Sequence, residues 1–223
     1  MLLKPDQRNK LDYTDDEDFY SVPRFVTHVD DNFIAQLTNL YRQKLQPQTC
    51  ILDLMSSWVS HLPEEVAFTH VEGHGMNEEE LAKNSRLDHY FVQNLNKELK
   101  LPFPEKKFDA VLNTVSIQYL QYPEAIFSEI HRVLKPGGIA IVSFSNRMFY
   151  QKAIAAWRDG TEASRVKLVR NYFNSVPGFS RPEISTGKGA MDKLPSFLQM
   201  LGMVSNDPFY AVISERLLVE RTE

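Results

Sequence analysis

The stretch "FDAVLNTVSIQYLQYPEAIFSEIHRVLKPGGIAIVSF", residues 108–144, decides the fold of this chain. It opens with an apolar run, continues after Pro123 with apolar residues at helical spacing, and closes with the nearly continuous apolar run "IAIVSF". In the intervening "KPGG", Pro136 fixes φ and Gly137 can adopt a positive φ, which is typical of a turn. The order of strand, helix and strand predicts two parallel strands that are covered on both faces.

The same alternation of short apolar runs with helical patterns extends along the chain. We predict strands within residues 50–54, 67–71, 90–95, 109–116 and 139–144, and one more in the tail "DPFYAVISERLLVE". We predict helices after the cap at Asp30 or Asp31, after a capping-box pattern of Asn77 with Glu80, after Pro123, and over residues 149–173, where Gly160-Thr161 separates two helices. The fold class is therefore α/β, a doubly wound and mostly parallel sheet with helices on both faces. In such a fold the ligand crevice lies along the carboxyl edge of the strands.

Composition narrows the class of protein. The chain has 223 residues, 43% of them hydrophobic, which suits one globular core, and its net charge of −4 argues against a nucleic-acid partner. The N-terminal residues lack the apolar run of a secretion signal, and no run reaches membrane-spanning length. Together with a single cysteine, Cys50, these features lead us to expect a cytoplasmic protein without a membrane partner. They do not predict its oligomeric state.

The stretch "ILDLMSSWVSHLP", residues 51–63, raises a specific question. Its first residues predict a buried strand that delivers Asp53 to the edge of the sheet. A glycine-rich turn often follows such a strand, because glycine lets the backbone approach a cofactor closely. Here the turn is Met55-Ser56-Ser57-Trp58, without a glycine. Either the turn does not bind a cofactor, or it does so by other means.

From about residue 50 to 145 the chain resembles the class I S-adenosylmethionine-dependent methyltransferases (methyltransferase type 11). It is most similar to the small-molecule branch that includes quinone-biosynthesis methyltransferases. The matching elements, in the family's order and spacing, are Leu101 to Phe103, Glu105, Phe108-Asp109 and Arg132 to Gly138. The resemblance implies a Rossmann-like sheet, S-adenosyl-L-methionine as cofactor, and in-line methyl transfer to a small-molecule acceptor. The alternative is a methyltransferase-like module that binds or regulates without catalysis.

The resemblance also implies which residues contact the cofactor at the first strand. Asp53 takes the place of the acid that ends this strand in the family, and Met55, Ser56, Ser57 and Trp58 take the place of the turn beneath the methionyl part, where Trp58 or Met55 can line the sulfonium region. Backbone amides and the two serine hydroxyls can bind the cofactor's carboxylate. Loss of glycine costs about 1–2 kcal/mol at each position that needs a positive φ.

The second strand leaves two alignments open. When the helix start at Asn77 is aligned with the family, Gly75 falls where an acid normally binds the ribose hydroxyls. The other alignment uses Glu72 and keeps the carboxylate, but it requires extra residues before the helix. We prefer the first alignment, in which His74, the backbone at Gly75 and Met76, or Asn77 replaces the missing acid.

At the third and fourth strands the implied contacts are closer to the family pattern. Asn94 replaces an aspartate that accepts from the adenine amine, and its carbonyl can still accept; the backbone amide of Leu95 contacts the ring. Ser116 lies where the fourth strand meets cofactor and substrate.

The resemblance divides the chain into residues 1–48, an arm and helix that form a lid, and residues 49–223, the methyltransferase-like domain. Pro23 favours extended backbone at the residue before it. Tyr20 can then lie across a ligand, and the guanidinium of Arg24 can donate hydrogen bonds to the cofactor's carboxylate. The alternative for this acidic segment is a solvated arm.

No catalytic base is predicted, because methyl transfer can proceed by positioning alone. His28, Tyr119 and Arg147 are candidates for contacts at the pocket mouth. Other chemistries lack their patterns: there is no G-x-G-x-x-G for a dehydrogenase and no G-x-S-x-G for a serine nucleophile. His70 and His74 lack a third ligand, so no metal site is predicted.

Overall fold

The computed structural model of the chain describes residues 2–187 and 207–218; residues 188–206 and 219–223 of the predicted second domain lie outside the described residues. The described strands are β1 Cys50–Asp53, β2 His70–Gly75, β3 His89–Val92, β4 Phe108–Thr114, β5 Leu134–Phe144, β6 Glu183–Thr186 and β7 Tyr210–Glu215. The described helices are α1 Asp16–Tyr20, α2 Asp31–Lys44, α3 Glu78–Lys83, α4 Pro123–Val133, α5 Ala155–Arg158 and α6 Glu162–Asn174, with short 3-10 turns at Asp6–Arg8 and Ile117–Tyr119. None of these helices is long and apolar enough to cross a membrane.

The strands form one sheet in the order β3-β2-β1-β4-β5-β7-β6. The first five strands in this order run parallel, whereas β7 is antiparallel to both β5 and β6. The order reverses between β1 and β4, and a ligand crevice in such sheets lies at the carboxyl ends of the strands on either side of that point. The predicted doubly wound, mostly parallel sheet is confirmed.

Alternating residues of each central strand enter two different cores. Ile51 joins a cluster with α2 on one face, and Leu52 joins a cluster with α4 and α6 on the other. In β5, Ile141 and Val142 divide between the two clusters in the same way. Because both faces are covered, the strands are nearly continuously apolar, as expected of buried parallel strands.

Three predicted helix starts are confirmed, whereas the first helix of the predicted region 149–173 begins only at Ala155, because residues 149–154 form turns and irregular backbone. The Asp30 carboxylate accepts from the Phe33 N–H at 2.8 Å, and the Asn77 side chain accepts from the Glu80 N–H at 3.0 Å. Pro123 is the first residue of α4, where its missing N–H costs no hydrogen bond. The break at Gly160-Thr161 separates α5 from α6.

Several strand bounds differ from the prediction. β3 ends at Val92 and β4 at Thr114, before the predicted ends at 95 and 116, and three further differences have clear physical causes. The strand predicted at 67–71 is β2, which extends to Gly75, because pairing with both neighbours holds a polar, glycine-containing segment extended. β5 begins before the "KPGG" turn, so this turn is an irregularity within the strand, with Gly137 at φ +80° as predicted. β6 was not predicted, because a short, exposed edge strand carries no hydrophobic alternation.

Helix α2 packs with the sheet. Phe33, Leu37 and Tyr41 have no exposed surface and lie in the same cluster as Ile51 and Leu112. Helix α2 is therefore part of the packed core, and a lid role for residues 1–48 stays a prediction.

Candidate functional site

A cavity of about 410 Å³ lies at the carboxyl edge of the sheet, within the size range of small-molecule sites. The structure brings every candidate from the sequence to its lining: Asp53, Met55, Ser56, Ser57, His74, Gly75, Met76, Asn94, Leu95, Ser116, Tyr20, Arg24, His28, Tyr119 and Arg147. Among the further lining residues, Asp16, Glu80 and Gln93 are polar groups that the sequence did not single out as site residues. All of these residues therefore line one cavity, and their hydrogen bonds and packing distinguish their roles.

The glycine-free turn after β1 places a methionine in a glycine-like conformation. Met55 has φ +59°, in the left-handed region that costs a residue with a Cβ about 1–2 kcal/mol. Two hydrogen bonds to His74 hold the turn: the Met55 N–H donates to its Nδ1 at 3.0 Å, and the Ser56 N–H donates to its carbonyl at 2.6 Å. The neighbouring strand therefore imposes the conformation that glycine would otherwise permit.

His74 is a structural residue of this turn. Its second ring nitrogen, Nε2, donates to the Gln93 carbonyl at 2.9 Å, so both nitrogens are occupied. Burial lowers the pKa of His74 to about 4, which keeps the ring neutral at physiological pH. Our hypothesis that the His74 side chain replaces the ribose acid is corrected accordingly, because the ring offers no free donor or acceptor.

Gly75 ends β2 directly against the turn. A Cβ at this position would lie 2.7 Å from the Ser56 carbonyl oxygen, which is closer than real contacts allow. No side chain, acidic or otherwise, fits here. The alternative alignment also fails as a binding site, because Glu72 pairs with His70 at 2.9 Å and His89 at 2.5 Å and does not line the cavity.

Asp53 is a buried carboxylate with two hydroxyl partners. Its Oδ2 accepts from the Ser56 hydroxyl at 2.6 Å and from the Ser60 hydroxyl at 2.5 Å. Burial raises the pKa of Asp53 to about 6, and these hydrogen bonds oppose the shift. The Asn84 amide donates to the Ser60 hydroxyl at 2.7 Å and fixes the hydroxyl's orientation.

Polar groups without protein partners lie where the resemblance puts the adenine and the acceptor. The Ser116 hydroxyl is buried and makes no hydrogen bond with the described residues. The Leu95 N–H likewise has no intramolecular acceptor within residues 2–187 and 207–218, whereas Asn94 Oδ1 accepts from the Asn96 N–H at 3.0 Å. Buried polar groups are normally satisfied, so these atoms fit contact with a polar ligand.

The segment before α2 lies over the cavity and is hydrogen-bonded to its rim. The Asn77 amide donates to the carbonyls of Tyr20 and Ser21 at 2.9 and 3.1 Å, and the Trp58 indole N–H donates to the Val26 carbonyl at 3.1 Å. As predicted from Pro23, residues 21–30 contain no helix; they form bends and irregular backbone.

Buried charges anchor the beginning of this segment. The Lys152 ammonium has no exposed side-chain surface and donates to the Thr14 carbonyl at 2.6 Å. The Asp16 carboxylate lies 2.5 Å from Lys10 and accepts from the Asn96 amide at 3.0 Å. Burial lowers the pKa of Lys10, and the Asp16 hydrogen bond opposes this shift. These contacts fix α1 beside the cavity.

Arg24 lines the cavity, but its guanidinium already has partners. Nη2 donates to the Phe19 carbonyl at 2.9 Å, and the group lies 4.6 Å from the Phe19 ring and 5.4 Å from the Phe149 ring. Tyr20 packs edge-on to Phe149, with ring centroids 6.4 Å apart. Arg24 therefore stabilises the end of α1, and its predicted contact with a carboxylate remains a prediction.

The three candidates at the cavity mouth differ in their availability. The Tyr119 hydroxyl accepts from the Phe149 N–H at 2.8 Å, and Arg147 Nε forms an ion pair with Asp207 at 2.7 Å. The His28 ring makes no hydrogen bond with the described residues and packs 5.3 Å from the Phe149 ring. Burial lowers the pKa of His28, which favours the neutral form of the ring. Within the described residues, no group of three or more potential ligands could hold a metal ion.

A model of the methyltransferase domain family matches residues 56–142. The chain is 49% identical over 41 residues to a sterol 24-C-methyltransferase from Gibberella zeae, a match that covers 18% of this chain and 11% of that protein. It is 33% identical over 66 residues to a biotin biosynthesis bifunctional protein from Teredinibacter turnerae, which covers 30% of this chain and 12% of that protein. The chain thus spans little more than a tenth of the length of these curated relatives.

Solved structures share the fold at low sequence identity. The structure of the Haloferax volcanii complex between the Trm112 methyltransferase activator and a methyltransferase matches with a TM-score of 0.58 and 13% identity, over 86% of this chain and 92% of that one. An S-adenosylmethionine-dependent methyltransferase from Mesorhizobium loti matches with a TM-score of 0.54 and 16% identity, over 80% and 96%. Phosphoethanolamine N-methyltransferase 2 of Haemonchus contortus, in complex with S-adenosyl-L-methionine, matches with a TM-score of 0.53 and 15% identity, over 82% and 52%. These structures show that the chain shares the methyltransferase fold.

The conformation of Met55 predicts an unusual order of stability. Met55→Gly and Met55→Ala both remove the side chain, but only alanine keeps a Cβ in the left-handed region. We expect the glycine variant to be the more stable of the two by about 1 kcal/mol in denaturant unfolding. The control pair is Glu79→Gly and Glu79→Ala on the exposed face of α3, where alanine should be more stable by about 1 kcal/mol. The same order at both positions would contradict the strained turn.

The buried Asp53 carboxylate should lower the free energy of unfolding in a pH-dependent way. Because its folded pKa is raised, the stability that neutral Asp53 provides is complete below about pH 4 and is lost as pH rises through about 6. Asp53→Asn has no such loss and should be more stable than the wild type by about 1–3 kcal/mol at about pH 8. This difference in the free energy of unfolding should shrink toward about pH 4. A difference independent of pH would show that Asp53 is not desolvated as described.

Proposed function

We propose that this chain is a class I S-adenosylmethionine-dependent methyltransferase, whose cavity binds S-adenosyl-L-methionine and directs in-line methyl transfer to a small-molecule acceptor. The observation that carries the proposal is the cavity at the carboxyl edge, which combines the buried Asp53 carboxylate with the unpartnered Ser116 hydroxyl and Leu95 N–H. These groups lie at successive strand ends around the point where the strand order reverses.

Different residues would bind different parts of the cofactor. The turn of Met55 to Ser57 and Asp53 would hold the methionyl part, and the Asn94 carbonyl and Leu95 amide would hold the adenine. When bound, S-adenosylmethionine supplies an electrophilic methyl group on a sulfonium sulfur. The negative charge of Asp53 at this end of the cavity favours a cationic ligand.

The closed N-terminal segment supports a small acceptor. It covers the cavity and leaves about 410 Å³, which suits a cofactor with a small molecule better than a folded macromolecule. His28 and the aromatic rings beside it would position the acceptor, and a neutral imidazole can also take up a proton. We place this activity in the cytoplasm, which the lone cysteine and the absence of disulfides favour.

A binding module without catalysis is the second candidate. The strained Met55 and the glycine in the place of the ribose acid favour it, because both depart from the pattern that the family uses to hold the cofactor. Calorimetry with S-adenosylmethionine and S-adenosylhomocysteine separates the two candidates. An enzyme binds both compounds, whereas no heat at millimolar concentration of either would favour the module.

Radiolabelled cofactor tests the transfer itself. We expect cell extract incubated with the wild type and methyl-labelled S-adenosylmethionine to yield a labelled compound of low molecular mass. Asn94→Leu removes the predicted adenine acceptor and should abolish most of this label, while Glu79→Gln on the exposed face of α3 should leave it unchanged. Label found only in macromolecules would overturn the small acceptor.

Limited proteolysis tests the lid. We expect S-adenosylhomocysteine to slow cleavage before residue 29, because the hydrogen bonds from Asn77 and Trp58 hold this segment over the bound ligand. Cleavage at exposed sites far from the cavity provides the internal control. Equal rates before residue 29 with and without saturating ligand would leave the segment as an arm with no such role.

A further inference from the structure

Glu80 is a buried carboxylate that lines the cavity and forms no ion pair with the residues that the structure describes. Only 9% of the residue is exposed, on the first turn of α3. Oε1 accepts from the Arg24 N–H at 2.6 Å, and Oε2 accepts from the Ser57 hydroxyl at 2.5 Å. No cationic side chain in the described part of the chain lies within 4.0 Å of it.

The Glu80 carboxylate can accept further hydrogen bonds from a ligand. An ionised carboxylate offers about four acceptor sites, and the Ser57 hydroxyl and the Arg24 N–H use two of them. The sequence pattern predicted that Glu80 would complete a capping box by bonding back to the N–H of Asn77. The structure shows only the bond from the Glu80 N–H to Asn77, and the carboxylate instead bonds to Ser57 and Arg24, which line the same cavity. Burying a carboxylate without a counterion is unfavourable. A buried carboxylate that lines a cavity therefore points to a ligand.

The location of Glu80 corresponds to the missing strand-end acid. The Ser56 carbonyl occupies the space where a side chain at Gly75 would begin, which excludes an acid on β2. The very next residue, Ser57, donates to Glu80. The helix therefore brings a carboxylate to the corner of the cavity from which the turn excludes one on the strand.

We infer that Glu80 accepts hydrogen bonds from the ribose hydroxyls of the cofactor and so replaces the acid that the end of β2 cannot carry. A carboxylate is an acceptor only, and a vicinal diol presents two donors, which matches the two remaining acceptor sites. Glu80 thereby selects for a ribosyl cofactor over its deoxy counterpart. The inference rests on the proposed cofactor, and the experiment separates the two.

The test measures calorimetric affinity for S-adenosylhomocysteine and for its 2′,3′-dideoxy analogue. The wild type should bind the dideoxy analogue about 30-fold more weakly, equivalent to about 2 kcal/mol at 1.4 kcal/mol per tenfold change. Glu80→Gln keeps the size of the side chain and can still accept from Arg24 and donate to Ser57. This variant should discriminate between the two ligands by less than about threefold. Glu79→Gln, one residue away and exposed, should behave as the wild type.

Three other results are possible, and each of them contradicts one claim. A wild type that binds neither ligand contradicts the proposed function. A wild type and a Glu80→Gln variant that discriminate equally contradict only the role of Glu80, and the ribose would then contact another group. If the variant binds both ligands more weakly by the same factor, Glu80 holds the lid through Arg24, and the inference is overturned. Unfolding of each variant in denaturant confirms that binding is compared between folded proteins.

Discussion

The close approach of the Ser56 carbonyl to Gly75 is the constraint on which the rest of the site depends. A Cβ at Gly75 would lie 2.7 Å from that oxygen, so the strand must end in glycine for the turn to take its course. Two hydrogen bonds from the turn to His74 fix this approach and hold Met55 at φ +59°. The glycine expected in the turn thus lies on the strand that faces it, and the backbone proximity that a cofactor needs is kept.

This arrangement has consequences for charge. With no side chain at Gly75, the carboxylates that line the cavity come from Asp16, Asp53 and Glu80, and the last two are buried. Asp53 opposes folding at neutral pH, because burial raises its pKa to about 6, whereas His74 is kept neutral by a pKa lowered to about 4. Their contributions to the pH dependence of stability have opposite signs in the same range. Retention of buried charges at a cost in stability is typical of a binding site.

The sequence predicted the scaffold well and the site unevenly. The strand, helix and strand around Pro123 follow from hydrophobic periodicity and turn chemistry, and the cavity follows from topology. The full length of β2 did not follow, because its polar and glycine residues are extended only through pairing on both sides. The role of His74 depends on the carbonyl of Gln93, 19 residues away, and the direction of the Glu80 carboxylate depends on Ser57 and Arg24. Contacts between residues distant in sequence leave no periodic pattern.

The central claim is that the strained turn, the end of β3 and the N-terminal segment form one cofactor site. Amide hydrogen exchange with and without saturating S-adenosylhomocysteine tests it most directly, since exchange reports the opening of individual segments. The account predicts slower exchange together in residues 55–57, in residues 94–96 and in residues 16–28, with the outer strand β6 unchanged. Unchanged exchange in the turn, or protection confined to another part of the chain, would contradict it.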